Sequence, residues 1–274
     1  EINVENCMFN RGSGFTFGAQ VKILESVASA YTTIAFRDCL FSTIGSADNQ
    51  YGIDLASSTG GQGGVQITNC YFTGLPSSAS HAFDTAAIHL GTASDAINVT
   101  VTNCEISGLK YGIWSQDGTN ANPLSDFKVT ENLIENCIIC VEIGGEYSEG
   151  VLISGNAIYV NATAALYGIN VPNHTRNLRI LNNRLWYTGD DQGRVAINVL
   201  HGPGTFARQT VISGNTIVGF YAVDNYGIVV AKTHGVTVTN NGLFNSTILL
   251  SENEGASVTG NTLEMDNHLD ADPV

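Results

Sequence analysis

Six short segments of the sequence place a polar or aromatic side chain beside apolar residues at alternate positions. Ile53-Asp54-Leu55, Ile88-His89-Leu90 and Val141-Glu142-Ile143 are three of them. Successive side chains of a β-strand point to opposite faces, so the apolar residues predict a buried face and the residue between them an outward one. The outward residues, which we call the polar stripe, are Asp54, His89, Trp114, Glu142, Asn170 and Asn198.

The polar stripe combines two carboxylates, an imidazole, two amides and an indole. An elongated row of this kind is typical of a polysaccharide site, where Trp114 would stack on the apolar face of a sugar and the polar groups would bind its hydroxyls. We therefore predict Trp114, His89, Asp54, Asn170 and Asn198 as substrate-binding residues. The alternative is an ordinary solvated sheet face, against which an exposed Trp beside a His and two acids argues.

Three acids near the centre of the stripe are candidate catalytic residues. Glycosidases use two carboxyl groups about 5–5.5 Å apart for retention, or about 6.5–9.5 Å apart for inversion. Glu142 is the candidate general acid, because its apolar neighbour Trp114 disfavours ionisation of a carboxyl group. Asp117 and Glu146 follow the stripe in adjacent coils, and either is a candidate base or nucleophile. Taken singly, each acid also fits a simple role in surface solubility.

The elements that carry these residues follow from a repeated eight-residue phrase. Val65-Gln-Ile-Thr-Asn-Cys-Tyr-Phe72 and Val151-Leu-Ile-Ser-Gly-Asn-Ala-Ile158 are two of its ten copies. Each copy begins with the alternation of a strand, and a second strand, commonly preceded by Gly or another small residue, follows in nearly every copy. Repeats of this length without helices predict one coil per copy. The sixth positions of the phrase are Cys7, Cys39, Cys70, Cys104, Asn132, Asn156, Asn183, Asn215, Asn241 and Asn261.

The predicted fold is all-β: a right-handed, single-stranded parallel β-helix of about ten coils. We predict one domain over residues 1–274, which we expect to be a fragment or the central domain of a longer chain. The stacked Cys residues are predicted to be buried free thiols, and the Asn residues to bond to the coils above and below. A metal site, disulfides or a redox role for Cys137 and Cys140 are the alternatives for the Cys residues.

The repeated phrase and its column of Asn residues resemble the pectin-lyase-like parallel β-helix superfamily, and within it bacteriophage tailspike and tail-fibre depolymerases. The resemblance implies a homotrimer, in the virion or outside the cell, that binds and hydrolyses a bacterial capsule or O-antigen polysaccharide. It also leaves open a glycan-binding adhesin or structural shaft without catalysis. A polyuronate lyase or epimerase is a further alternative, although no acid cluster surrounds Lys128 or Arg179. Asp190-Asp191 and His201 match a polygalacturonase only superficially.

Composition limits the partners. The formal net charge is −14 and only 13% of residues are charged. Nucleic acids and anionic membranes are disfavoured because both require a basic face. No apolar run approaches the roughly 18 residues of a membrane-spanning helix, so membrane insertion is not expected. We expect neither a cofactor nor a metal.

Overall fold

The computed structural model describes residues 2–10, 18–23, 33–44, 50–55, 64–74, 84–90, 98–115, 125–144, 148–160, 166–173, 175–187, 193–200, 207–220 and 225–264. These residues form a solenoid of parallel strands, in which each strand pairs with its counterpart one coil away. The predicted fold class, an all-β parallel β-helix, is confirmed.

The first half of the repeated phrase forms the first sheet. Its ten strands are Ile2–Glu5, Ile34–Arg37, Val65–Thr68, Val99–Thr102, Lys128–Thr130, Leu152–Ser154, Arg179–Leu181, Val211–Ser213, Thr237–Thr239 and Ser257–Thr259. The second half forms the second sheet. Its ten strands are Met8–Asn10, Leu40–Ile44, Tyr71–Gly74, Glu105–Ser107, Leu133–Glu135, Ala157–Tyr159, Arg184–Trp186, Thr216–Val218, Gly242–Phe244 and Thr262–Glu264.

The third sheet carries the polar stripe. Its nine strands are Gly18–Lys22, Gln50–Asp54, Thr85–Leu90, Tyr111–Ser115, Ile139–Ile143, Tyr167–Val171, Val195–Leu200, Tyr226–Ala231 and Ile248–Ser251. A short fourth sheet lies between the third sheet and the next coil's first sheet. Its four strands are Ser148–Glu149, Thr175–Arg176, Ala207–Arg208 and Thr233–His234.

The fifth position of the phrase explains the turn between the first and second sheets. In all ten copies this residue has a positive φ, between 53° and 69°. Asn and Asp tolerate this left-handed conformation better than other non-glycine residues, and Gly adopts it freely. The occupants are Asn6, Asp38, Asn69, Asn103, Glu131, Gly155, Asn182, Gly214, Asn240 and Gly260. The local turn therefore selects the small or polar residue that the phrase shows.

The sixth-position Asn residues form a continuous hydrogen-bonded ladder inside the solenoid. The backbone N–H and Nδ2 of Asn156 both donate to Asn183 Oδ1, at 3.0 and 2.9 Å. Asn156 Nδ2 also donates to the carbonyl oxygen of Val129, in the preceding coil. The same pattern recurs from Asn132 to Asn261. The predicted bonding of these amides to neighbouring coils is confirmed.

Four of the six Cys residues, Cys7, Cys39, Cys70 and Cys104, occupy the same position in the first four coils. All six are free thiols; Cys7 is partly exposed and the other five are buried. Cys104 Sγ lies 3.6 Å from the carbonyl oxygen of Ile67, the equivalent of the acceptor used by each Asn. Burial raises the pKa of Cys39, and the pKa of Cys70 is raised by a hydrogen bond with the Cys104 thiol and by burial. These raised values favour unreactive, protonated thiols.

Glycine at the second position of several third-sheet strands allows close approach to the core and to the next coil. A Cβ atom on Gly112 would lie 2.4 Å from the carbonyl oxygen of Cys140 and 2.9 Å from Ile134 Cγ2. Gly168 occupies the same position two coils further on, where a Cβ would lie 2.7 Å from the Ala196 carbonyl oxygen. A larger side chain would push the third sheet away, so these residues fix the strand that presents the stripe.

The core is a single apolar column between the three long sheets, and Ile53, Ile88 and Ile113 are among its fully buried members. In the part of the chain that the structure describes, no helix has the length and apolarity needed to cross a bilayer.

Candidate functional site

The six predicted stripe residues lie in register on six consecutive strands of the third sheet. Asp54 pairs with His89, His89 with Trp114, and Trp114 with Glu142. The register continues from Glu142 to the two amides and then to the apolar pair at the end of the sheet: Asn170, Asn198, Val229 and Leu249. Before Asp54 the register position is occupied by Lys22.

One end of the stripe is a buried ion-pairing group. His89 Nδ1 lies 2.8 Å from Asp54 Oδ1, and both side chains are almost fully buried. Because an ionised carboxylate only accepts hydrogen bonds, the Nδ1–H of His89 donates. Lys22 Nζ lies 3.7 Å from the other oxygen, Asp54 Oδ2, and is half exposed. Asp54 therefore orients the imidazole and fixes which of its nitrogens carries the proton in this contact.

At the centre of the stripe, hydrogen-bond donors converge on one carboxylate. Trp114 Nε1 donates to Glu142 Oε1 at 3.1 Å, and Asn170 Nδ2 donates to Glu142 Oε2 at 2.8 Å. Asn198 Nδ2 in turn donates to Asn170 Oδ1 at 2.8 Å. Donors on both oxygens favour the ionised form of a carboxyl group. The contacts of Glu142 therefore suit an anionic role better than that of a general acid.

The stripe is far less exposed than the sequence predicted. Trp114 is only 7% exposed, and Asp54, His89, Asn170 and Asn198 are 5–6% exposed, so the expectation of an exposed Trp was wrong. Aromatic rings beside the stripe account for part of this burial. Tyr111 stacks on Trp114 with ring centroids 4.3 Å apart, and Tyr51 stacks on His89 at 4.0 Å.

Tyr51 and Tyr111 belong to a second outward column that the sequence analysis missed. It lies three residues before the stripe, in register from coil to coil: Tyr51, Ala86, Tyr111, Ile139, Tyr167, Val195 and Tyr226. The signal was present in the sequence as a recurring Tyr-Gly-Ile, which begins at each of the four tyrosines. The stripe and this tyrosine column together make an amphipathic surface of rings, amides and carboxylates.

The charge of Glu142 also acts on Tyr111. Burial, the negative charge of Glu142 and that of Asp84 together raise the pKa of Tyr111 to about 12. Asp84 itself forms an ion pair with Lys110, whose Nζ lies 2.6 Å from Asp84 Oδ1. The Tyr111 phenol is therefore a neutral hydrogen-bond donor at any physiological pH.

The predicted partners of Glu142 lie outside the described residues. Asp117 follows the strand that ends at Ser115 by two residues, and Glu146 follows Ile143 by three. Within the stripe itself, Asp54 and Glu142 are three coils apart, or about 14 Å at the usual strand spacing. That separation exceeds both glycosidase geometries, so Asp54 is not the second carboxyl group of a pair with Glu142.

Metal binding was also considered. Among the described residues, no group of three or more His, Cys, Asp or Glu side chains is arranged to hold a metal ion.

Comparisons with known proteins agree with this architecture. Residues 59–263 match the family described as "Right handed beta helix region", so the chain belongs to the right-handed β-helix family. No curated protein matches it in sequence.

Among solved structures, one is similar in fold and a second aligns less closely. DFA-IIIase from Arthrobacter chlorophenolicus A6, in complex with GF2, is 12% identical with a TM-score of 0.58 over 90% of this chain. The surface protein and adhesin PfbA of Streptococcus pneumoniae is 10% identical, with a TM-score of 0.46 over 96% of this chain and 84% of PfbA. The chain spans 58% of the DFA-IIIase chain. At these identities the likeness concerns the fold alone.

Proposed function

We propose that this chain is the β-helix of a phage tailspike-like protein that binds a bacterial surface polysaccharide along the third sheet and hydrolyses it. The observation that carries the proposal is the convergence of donors on the Glu142 carboxylate, between an indole and an amide. A row of one residue per coil, about 4.8 Å apart, suits an extended polymer that crosses several coils. The rings of the tyrosine column would support the apolar faces of its sugars.

In this proposal Glu142 acts as the base or nucleophile, because its two donors favour the carboxylate. The general acid is then Asp117 or Glu146, since each follows a central stripe strand by two or three residues. Trp114 and Asn170 are positioning residues that hold the carboxylate, and Asn198 holds Asn170. Asp54 and His89 bond to each other and are almost fully buried, so in this proposal only the small exposed part of the pair would contact sugar hydroxyls at one end of the row.

The trimeric, virion-borne state is part of the same proposal. Val229 and Leu249 continue the stripe register with apolar side chains, and Leu249 is 40% exposed. An apolar end to an otherwise polar row suits a contact between subunits better than it suits sugar binding.

The experiment is to measure polymer chain length by size-exclusion chromatography after incubating the protein with capsular and O-antigen polysaccharides. We expect one polymer to shorten, and Glu142→Gln to slow the shortening by about 10²–10⁴-fold. Asp117→Asn and Glu146→Gln would show which of these acids is the partner. Glu135→Gln, which removes the same charge from the second sheet, is the matched control and should cleave normally.

A non-cleaving adhesin is the second candidate, and the separation of the two stripe acids Asp54 and Glu142 favours it. A polymer that is retained but never shortened would show binding alone and remove the hydrolase proposal. Cleavage that Glu142→Gln leaves unchanged would place catalysis elsewhere. Products with an unsaturated sugar would identify a lyase, which the described residues do not otherwise favour.

A further inference from the structure

A second surface feature, an open cleft, lies on the fourth sheet. Its volume is about 390 Å³, and its position along the coil is after the third sheet and before the first. It contains three of the basic side chains of a chain whose net charge is −14. The residues that line it are Glu149, Arg176, Asn177, Arg208, Gln209, His234 and Gly235.

The basic side chains of the cleft stand on consecutive strands. Arg176 pairs in register with Arg208, and Arg208 with His234, so neighbouring members are about 4.8 Å apart at the backbone. Both arginines are exposed. His234 Nδ1 lies 3.0 Å from Glu254 Oε2.

No described residue forms an ion pair with the guanidinium of Arg176 or Arg208, and neither guanidinium has a side-chain hydrogen bond among the described residues. The same holds for Lys128, Arg179 and Arg184, but only Arg176 and Arg208 stand opposite each other on neighbouring strands. By contrast, Arg37 pairs with Glu5 at 2.9 Å, and Lys110 pairs with Asp84 at 2.6 Å. Like charges directly opposite each other on neighbouring strands are destabilising. Two adjacent, uncompensated arginines are therefore a local cost that an anionic ligand would remove.

Acidic residues border the arginines on both sides. Glu149 is in register with Arg176 and accepts a hydrogen bond from Asn177 Nδ2 at 3.3 Å, while Glu254 contacts His234. The unpaired positive charge is thus confined to the two coils of Arg176 and Arg208. This length can accommodate one or two anionic substituents. Asn177 and Gln209, beside the arginines, provide amide groups that can bond to hydroxyls.

We propose that this cleft binds the carboxylate, sulfate or phosphate substituents of an acidic polysaccharide, so that the polymer recognised by the protein is an acidic one. The proposal rests on the proposed function only in taking the ligand to be a polysaccharide. Arginine presents a planar fork of donors that matches oxyanions, and two forks one coil apart can bind one substituent together or two along a chain. A nucleic acid is disfavoured because duplex DNA carries about one negative charge per 1.7 Å of its axis, a denser array than two arginines on a chain of net charge −14 can neutralise.

The test measures binding of the whole chain to polygalacturonate, alginate and hyaluronan at low salt, by affinity electrophoresis. Carboxyl-reduced polygalacturonate, inorganic phosphate and a duplex DNA are run in parallel. The variant is the double substitution Arg176→Gln and Arg208→Gln. The matched control is Lys128→Gln with Arg184→Gln, which removes two exposed cations from the first and second sheets. Circular dichroism and thermal unfolding check that both variants fold.

We expect at least one acidic polymer to bind, its carboxyl-reduced form to bind more weakly, and the Arg176/Arg208 variant to weaken binding by about tenfold or more. The control should stay within about twofold, below the loss of one charged hydrogen bond. Equal losses in both variants would show a general charge effect and overturn the proposal. So would failure of every acidic polymer to bind, binding of inorganic phosphate alone, or tighter binding of DNA.

These outcomes are separable from those for the polar stripe. If an acidic polymer is bound through the two arginines but never cut, the result supports the cleft proposal and contradicts the hydrolase function. If a neutral polymer is cut in a way that depends on Glu142 and no acidic polymer binds, the result supports the hydrolase function and contradicts the cleft proposal.

Discussion

The solenoid contains two ladders of polar side chains, one inside and one outside, and they differ in direction. In the inner ladder, each Asn donates to the Oδ1 of the Asn in the following coil, from Asn132 to Asn261, always in the same sense. In the outer stripe, donors approach Glu142 from both sides, through Trp114 on one and Asn170 on the other. The inner ladder therefore has no residue on which donors converge from both sides, whereas the outer stripe has one, Glu142.

This difference separates a structural ladder from a candidate site. A neutral ladder with one residue type can be extended by any number of coils, because each added Asn meets the same carbonyl and the same amide. A stripe that converges on one charge cannot be extended in this way, because its members have different roles around Glu142. A residue type that repeats from coil to coil thus indicates a structural role. A register position whose residue type varies from coil to coil indicates a candidate binding or catalytic site.

The strongest test of the comparison is Asn183→Ala in the inner ladder. Asn183 is fully buried; its Oδ1 accepts two hydrogen bonds from Asn156, and its Nδ2 donates to Ile153 O and Asn215 Oδ1. Its removal leaves buried polar groups without partners, each worth about 1–3 kcal/mol. We expect the free energy of unfolding, measured in urea, to fall by about 3 kcal/mol.

Asn183→Cys is the matched comparison for that prediction. Cysteine occupies this position in the first four coils, and Cys104 Sγ reaches the equivalent carbonyl. The sulfur should therefore bond to Ile153 O but leave the donors of Asn156 unsatisfied, with a loss between those of alanine and wild type. A loss below about 1 kcal/mol for Asn183→Ala, no more than a typical single hydrogen bond, would show that the ladder is not the main polar support of the core.

The sequence was sufficient for the register and the faces, because both follow from periodicities that hold along the whole chain. The six stripe residues share one register because each stands at the same distance from its core isoleucine or valine. The ladder was predictable for a similar reason: the sixth position recurs after a fifth residue that must adopt a positive φ.

Exposure and the basic cleft were not predictable in the same way. Alternation shows the face on which Trp114 lies, but not that Tyr111 stacks on it, because strict alternation would place a residue three positions earlier on the opposite face. Arg176 and Arg208 lie on strands of two residues, too short for any alternation to be read. Their proximity follows from the register between these two strands, which no pattern in the sequence shows.

A smaller effect, of about 1 kcal/mol, is expected for Trp114→Phe in the outer stripe. The phenyl ring can retain the stack on Tyr111, but Glu142 Oε1 loses its indole donor. Trp186→Phe is the control, since Trp186 stacks on Tyr159 at 4.8 Å on the second sheet and its indole has no hydrogen-bond partner among the described residues. Urea unfolding should separate the two variants. Equal stability losses would mean that the bond to Glu142 contributes nothing.

The smallest effect at neutral pH, and the most specific one, is expected for Tyr111→Phe. The pKa of Tyr111 in the folded protein is about 12, above the ordinary value of 10.0, so its burial as a neutral phenol is compatible with folding below pH 10. Between about pH 10 and 12 the unfolded chain ionises first, and stability falls as pH rises. Removing the hydroxyl should leave stability nearly unchanged at pH 7 and reduce this alkaline loss.

Thermal unfolding from pH 7 to 12 would measure this difference, with Tyr226→Phe, from the same column, as the control. Burial is the main cause of the raised pKa and the charge of Glu142 is the second, so Glu142→Gln should reduce the benefit of Tyr111→Phe without abolishing it. If Tyr111→Phe reduced the alkaline loss of stability equally with and without Glu142→Gln, Glu142 would not carry the negative charge on which the donors of the stripe are taken to converge. The polar stripe would then differ from the inner ladder only in the types of its residues, and not in having donors that converge on one charged residue.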